Sequence, residues 1–234
     1  MALLMWIWTL WVSVAFASSP EPQELRVRKR LDLTSVAGNI QISPDPASSV
    51  VRVAPQTEIW SDACVLHYEE TASAIVVRLE RSDDISGECE MDFEIVLPPQ
   101  VDLNIDLAAG DVTLGAMTGS TVVRVDDGAV RGTVKGPLDV YVTNGDIDMK
   151  SLSEPAEVRV GSGSIALHYA EAMWGSIRAA AGAGQVFIAL PVGSRVRPRL
   201  ATGWGETQND LKRSPFAPTR VRARVGSGSI VLSE

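Results

Sequence analysis

Leu138 to Met149, LDVYVTNGDIDM, reads as an alternating strand, a glycine corner and a second alternating strand. Leu138, Val140 and Val142 alternate with Asp139 and Tyr141, and Ile147 and Met149 alternate with Asp146 and Asp148. Successive side chains of a strand point to opposite faces, so a period of two with one apolar row marks a half-buried strand. The same frame recurs at Val101 to Leu114, Val122 to Val130, Ala156 to Leu167, Ser176 to Ile188 and Arg220 to Leu232. The corner glycines Gly110, Gly128, Gly145 and Gly163 are spaced 18, 17 and 18 residues apart.

A short fixed period means that one unit cannot bury its apolar face alone and must stack on its neighbours. Two strands of five or six residues at about 3.3 Å each, with their turns, use up one period. Each unit is therefore expected to be one rung, with its next copy about 4.8 Å along the axis and hydrogen-bonded in parallel. Asn144-Gly145, Asp127-Gly128 and Ser162-Gly163 supply the corners, because glycine turns sharply without a side chain in the way. The fold expected is an all-β, single-stranded β-solenoid of parallel rungs. A meander of antiparallel hairpins is the competing reading, since Asn-Gly and Asp-Gly also make hairpin turns. Hairpins, however, do not require equal spacing.

Outward from this repeat, residues 1–17 carry no charged side chain and end in Ala15-Phe16-Ala17. The run reads as a secretory signal peptide cleaved after Ala17, with an uncleaved anchor as the alternative. Export to the periplasm or cell surface is the expected localisation. Residues 18–98 read as an antiparallel, hairpin-rich section with a first, degenerate corner at Ala37-Gly38-Asn39-Ile40. Residues 99–234 read as solenoid repeats with an irregular excursion at 191–220. Gly184 and Gly228 are 44 residues apart, room for one irregular rung around Gly203-Trp204-Gly205 or for an inserted loop.

The chain has 29 Asp plus Glu against 21 Lys plus Arg, a net charge of −8. That balance argues against a nucleic-acid binder, which would show a dominant basic face. The charge is uneven: residues 18–98 hold 15 acids and 7 bases, whereas residues 191–225 hold 8 bases and 2 acids. Arg195, Arg197 and Arg199 share one face of a strand, as do Arg220, Arg222 and Arg224. If the two strands are neighbours, six guanidinium groups line one surface suited to carboxylates or phosphates. The expected partner is an envelope protein, an anionic glycan or a lipid surface. The bland alternative pairs these arginines with Asp102, Asp106, Asp139 and Asp148, or leaves them solvated.

Cys64 and Cys89 are the only cysteines. In an exported chain an isolated pair is expected to be a disulfide, and neither a C-x-x-C spacing nor nearby zinc ligands favour another use. Cofactor and metal sites are not indicated. No phosphate loop, H-E-x-x-H or G-x-S-x-G motif is present. His67 and His168 each stand in a Leu-His-Tyr strand, and both read as partly exposed strand residues. Asp126, Asp127, Asp146 and Asp148 could form the carboxylate cluster of a polysaccharide lyase or hydrolase. Acids beside turn glycines are nevertheless what turns ordinarily select. The final copy ends two residues before Glu234, which predicts an open C-terminal rung available for self-association or strand addition.

The corners Gly110-Asp111-Val112 and Gly145-Asp146-Ile147, the entry strand Ile95-Val96-Leu97-Pro98 and the later Ala189-Leu190-Pro191 resemble the bacterial putative-adhesin β-solenoid family. That family is a domain of unknown function, similar to the head domain named for its Gly-Ile-Asn motif. The resemblance covers roughly Arg26 to Leu232. It implies an exported, non-catalytic envelope domain, sometimes tied to attachment or cell-surface stress, and offers no catalytic residues to carry over. The cysteine pair and the charged excursion depart from the family's pattern.

Overall fold

The computed structural model describes residues 20–56, 62–82 and 87–234. The candidate signal peptide, residues 1–17, lies outside them. Among the described residues every regular element is a strand. The first seven are β1 (Gln23–Arg26), β2 (Arg30–Ala37), β3 (Ile40–Pro44), β4 (Val50–Gln56), β5 (Cys64–Glu70), β6 (Ala74–Arg81) and β7 (Asp92–Leu97). The regular repeats contribute β8 (Asp102–Ala109), β9 (Val112–Met117), β10 (Thr121–Asp127), β11 (Val130–Val134), β12 (Leu138–Asn144), β13 (Ile147–Leu152), β14 (Ala156–Ser162) and β15 (Ile165–Tyr169). The remainder are β16 (Gly175–Ala189), β17 (Arg195–Trp204), β18 (Thr207–Asn209), β19 (Lys212–Arg213) and β20 (Thr219–Ser233).

The organising stretch folds as its alternation dictates. Val140, Val142, Ile147 and Met149 are buried while Tyr141 and Lys150 face out. β12 pairs in parallel with β10 on one side and β14 on the other, and β13 pairs in parallel with β11 and β15. A meander would instead have bonded β12 to β13. Val140 lies opposite Val158, and Val158 opposite Ala179. These residues and Ile177 belong to one continuous core that extends from Leu31 to Leu232. The rung-to-rung hydrogen bonds close at the corners too, where the Gly145 N–H donates to the Ser162 carbonyl at 2.9 Å.

The sheet is of mixed orientation, and its order departs from chain order at both ends. One column of parallel strands runs β6, β2, β8, β10, β12, β14, β16, β20, β17. The companion column runs β7, β3, β9, β11, β13, β15, the second halves of β16 and β20, and then β18. The expectation of an antiparallel section over residues 18–98 holds for three of its pairings, and the rest of the section joins the parallel stack. While β1–β4, β4–β7 and β5–β6 are antiparallel pairs, β2, β3, β6 and β7 pair in parallel as rung strands. Their apolar rows, such as Leu31 and Leu33 against Ile75 and Val77, continue the same core.

The open C-terminal rung is corrected as well. β20 is flanked by β16 on one side and by β17 and β18 on the other, so the last copy in sequence is not the last in space. The irregular rung β17/β18 occupies the end, with β19 paired to its first residues. Leu211 and Ala217 from the intervening segment are buried there. Edge strand β17 also carries Pro198, which has no amide to offer an incoming strand. Self-association by strand addition to β20 has no edge to use.

Cys64 and Cys89 form a disulfide across 25 residues of chain. It ties the outermost antiparallel strand β5 to the segment that leads into β7.

Candidate functional site

β16, β20 and β17 lie side by side, each burying an apolar or small side chain at alternate positions. Ile177, Ala179 and Ala181 of β16, Val221, Ala223 and Val225 of β20, and Val196 of β17 turn inward. The residues between them must then face outward. Register sets the outward rows: Arg197 lies opposite Arg220, which lies opposite Ser176, and Arg199 lies opposite Arg222, which lies opposite Arg178. Arg224 lies between Ala180 and Ala201. The two arginine runs read from the sequence are therefore neighbours, and the fold adds Arg178 to them. Arg195, Arg199, Arg220, Arg222 and Arg224 are exposed and Arg197 is half-buried.

None of the six arginines from β17 and β20 forms an ion pair among the described residues. Distance explains why the acids named above cannot reach them. Asp102 and Asp106 on β8 are five strand steps from β20, about 24 Å at about 4.8 Å per step, and Asp139 is three steps, about 14 Å, away. Asp148 sits with Lys150 at 3.6 Å. The nearest acid in the column, Glu157, is engaged by Arg159 and by Arg178, the latter at 3.0 Å. A shallow cleft of about 250 Å³ runs between Arg197, Arg199, Arg220 and Arg222. The Nε of Arg197 is withdrawn from solvent there without an acceptor. Like charges directly opposite one another weaken a sheet, so the folded state gains nothing from this arrangement.

The acidic candidates serve the corners. The Asp111 carboxylate accepts the Ala129 N–H at 2.8 Å, and that of Asp146 accepts the Ser164 N–H at 2.7 Å. The Asn39 side-chain oxygen accepts the Asp111 N–H at 3.1 Å. The side chains after Gly38, Gly110 and Gly145 thus fasten their rungs to the next by taking an amide proton. Asp127 accepts from the Asn144 side chain at 2.8 Å and Asp126 from the Thr143 hydroxyl at 3.4 Å. No group of acids, histidines or cysteines suited to a metal ion occurs among the described residues. His67 is exposed on β5, while His168 on β15 lies against Phe187 with ring centres 5.4 Å apart; the two are not brought together.

Sequence reasoning missed Arg178 and the exposed apolar residues Trp174, Val192 and Phe216. Arg178 carried a signal in its alternation with Ile177 and Ala179, but only the β16–β20 register shows what it stands beside.

No family model matches the sequence, and no curated protein matches it. Among solved structures, a putative adhesin from Bacteroides fragilis shares 13% identity over 91% of this chain and 95% of its own, with a TM-score of 0.50. A putative cell adhesion protein from Clostridium sporogenes shares 12% identity over 92% of this chain and 99% of its own, with a TM-score of 0.37. A putative lipid binding protein from Parabacteroides distasonis shares 12% identity over 92% and 97%, with a TM-score of 0.34. At such identity the Bacteroides likeness shows a common all-β fold and nothing of activity.

Proposed function

We propose that the protein is an exported, non-catalytic binding module of the cell envelope, built as a β-solenoid, that docks an anionic partner on the face formed by β16, β20 and β17. One observation carries this reading: six guanidinium groups on two adjacent strands have no acid to pair with among the described residues. Arginine forks match carboxylate, sulfate or phosphate groups, and an anionic partner would relieve the repulsion between the stacked rows. The parallel registers from β6 to β17 support the solenoid, and the Cys64–Cys89 disulfide supports an oxidising compartment. Of the acids of the polysaccharide-cleaving alternative, Asp126, Asp127 and Asp146 are engaged in bonds between rungs and Asp148 pairs with Lys150.

The test is binding of fluorescent dextran sulfate to residues 18–234, with and without Arg197→Glu combined with Arg222→Glu. Arg222 is exposed and Arg197 half-buried on the same outward face, and equal thermal unfolding of variant and parent verifies that the fold is kept. The double reversal is expected to weaken binding by at least about tenfold at low ionic strength, with a shallower salt dependence. Unchanged affinity removes the arginine face as the docking site.

A further inference from the structure

Four large apolar side chains stand almost fully in solvent around the arginine rows; Trp204, 81% exposed, lies at the far end of β17, and the other three gather at the opposite end. Trp174 is 81%, Val192 86% and Phe216 93% exposed. They come from three different connections, the segments leading into β16, β17 and β20. Register brings those connections to one edge of the sheet, because Gly175 and Val196 both lie opposite Thr219. The Thr219 hydroxyl donates to the Met173 carbonyl, which ties two of the connections together. Immediately inside this edge comes the row Ser176, Arg220, Arg197, and then the row Arg178, Arg222, Arg199.

Apolar tips fringing a cationic surface fit one kind of partner better than others. A flat protein partner or a soluble glycan would be met by side chains packed into a platform, whereas each of these three projects on its own. An anionic bilayer offers both halves of the complement. Its headgroup phosphates take the guanidinium forks, and its acyl boundary accepts tryptophan and phenylalanine below them. No helix of the described chain is long and apolar enough to cross a membrane. Resting on the docking function proposed above, we infer that the partner is an anionic lipid surface, which Trp174, Val192 and Phe216 enter while the arginines hold the phosphates.

The test uses residues 18–234, since the apolar residues 1–17 would themselves partition into lipid and contribute none of the described strands. Vesicles of equimolar phosphatidylglycerol and phosphatidylcholine, vesicles of phosphatidylcholine alone, and dextran sulfate are the three probes. Cosedimentation and the blue shift of tryptophan emission are the readouts. The protein is expected to bind the anionic vesicles and not the neutral ones. Trp174→Ser with Phe216→Ser should weaken vesicle binding by at least about tenfold while leaving dextran sulfate binding unchanged. Both positions are exposed, and equal thermal unfolding of variant and parent verifies that the fold is kept.

If the apolar double variant binds anionic vesicles as the parent does, or if the parent binds dextran sulfate but no vesicle, the lipid inference falls and the anionic docking face stands. If Arg197→Glu with Arg222→Glu alters neither vesicle nor dextran sulfate binding, the docking function itself falls.

Discussion

Replacing Gly145 by alanine probes the close stacking of rungs at a corner. Gly145 has φ +141°, in a region that side chains rarely enter, and a Cβ built on it would lie 1.8 Å from the Gly128 carbonyl oxygen. The backbone term is about 1–2 kcal/mol. Relieving the contact means moving two rungs apart by more than about 1 Å at the corner, because a Cβ ordinarily keeps at least 3.4 Å from such an atom. That displacement strains the bonds from the Gly128 N–H to the Asn144 carbonyl at 3.0 Å and from the Val130 N–H to the Asp146 carbonyl at 2.9 Å. Losing both adds about 2 kcal/mol, so Gly145→Ala is expected to cost about 3–4 kcal/mol.

Two controls separate the terms. Gly193 has φ +83° and open space around its would-be Cβ, so Gly193→Ala carries the backbone term alone, about 1 kcal/mol. Gly161 lacks the unusual φ but would place a Cβ 2.5 Å from the Thr143 carbonyl oxygen, so its substitution carries the steric term alone, about 1–2 kcal/mol. Equilibrium urea unfolding of residues 18–234 at neutral pH, followed by circular dichroism, measures all three against the parent at constant denaturant dependence. The reasoning is refuted if Gly145→Ala is no more destabilised than Gly193→Ala, for then carbonyls do not press on the glycine column.

Two further outcomes follow from the same structure. Reducing Cys64–Cys89, or replacing both cysteines by serine, frees a link across 25 residues and is expected to lower stability by about 3 kcal/mol in the chain-entropy picture; a urea midpoint that does not move contradicts it. Burial pushes Tyr68 up to about 12 and raises Tyr169 as well. Because the fold favours the neutral phenol, this stability is fully present below the unfolded value of about 10 and is lost as pH rises towards 12. Phenolate absorbance should therefore appear together with loss of the β-sheet circular dichroism signal, and complete phenolate formation with that signal intact would overturn the argument.

Much of the fold was legible because its causes are local and repeated. Val140 and Ile147 alternate with Tyr141 and Asp148 whatever they pack against, and Gly145 marks a corner from its own lack of a Cβ. The cysteine pair was likewise readable from number and context alone. The function of the corner acids was less so. Asp146 read as a turn preference or as part of a cluster, and only the stacked rungs show it and Asp111 each taking an amide proton from the next rung. Six of the seven arginines of the face were written in β17 and β20, but Arg178 entered it through pairing across 44 residues of chain.

By itself the sequence determined the strand alternation, the rung length and the two arginine runs, since each arises from residues within one period. The tertiary structure alone decided the order of rungs at the two ends: β2 and β3 between β6/β7 and β8/β9, and β20 between β16 and β17. The physical reason is that every rung presents nearly the same apolar row and the same backbone groups to its neighbours, so local pattern cannot choose which copy stacks on which. That choice belongs to the ends, where the irregular β17/β18 rung, with Pro198 and the buried Leu211 and Ala217, terminates the stack while the regular copy fills the interior.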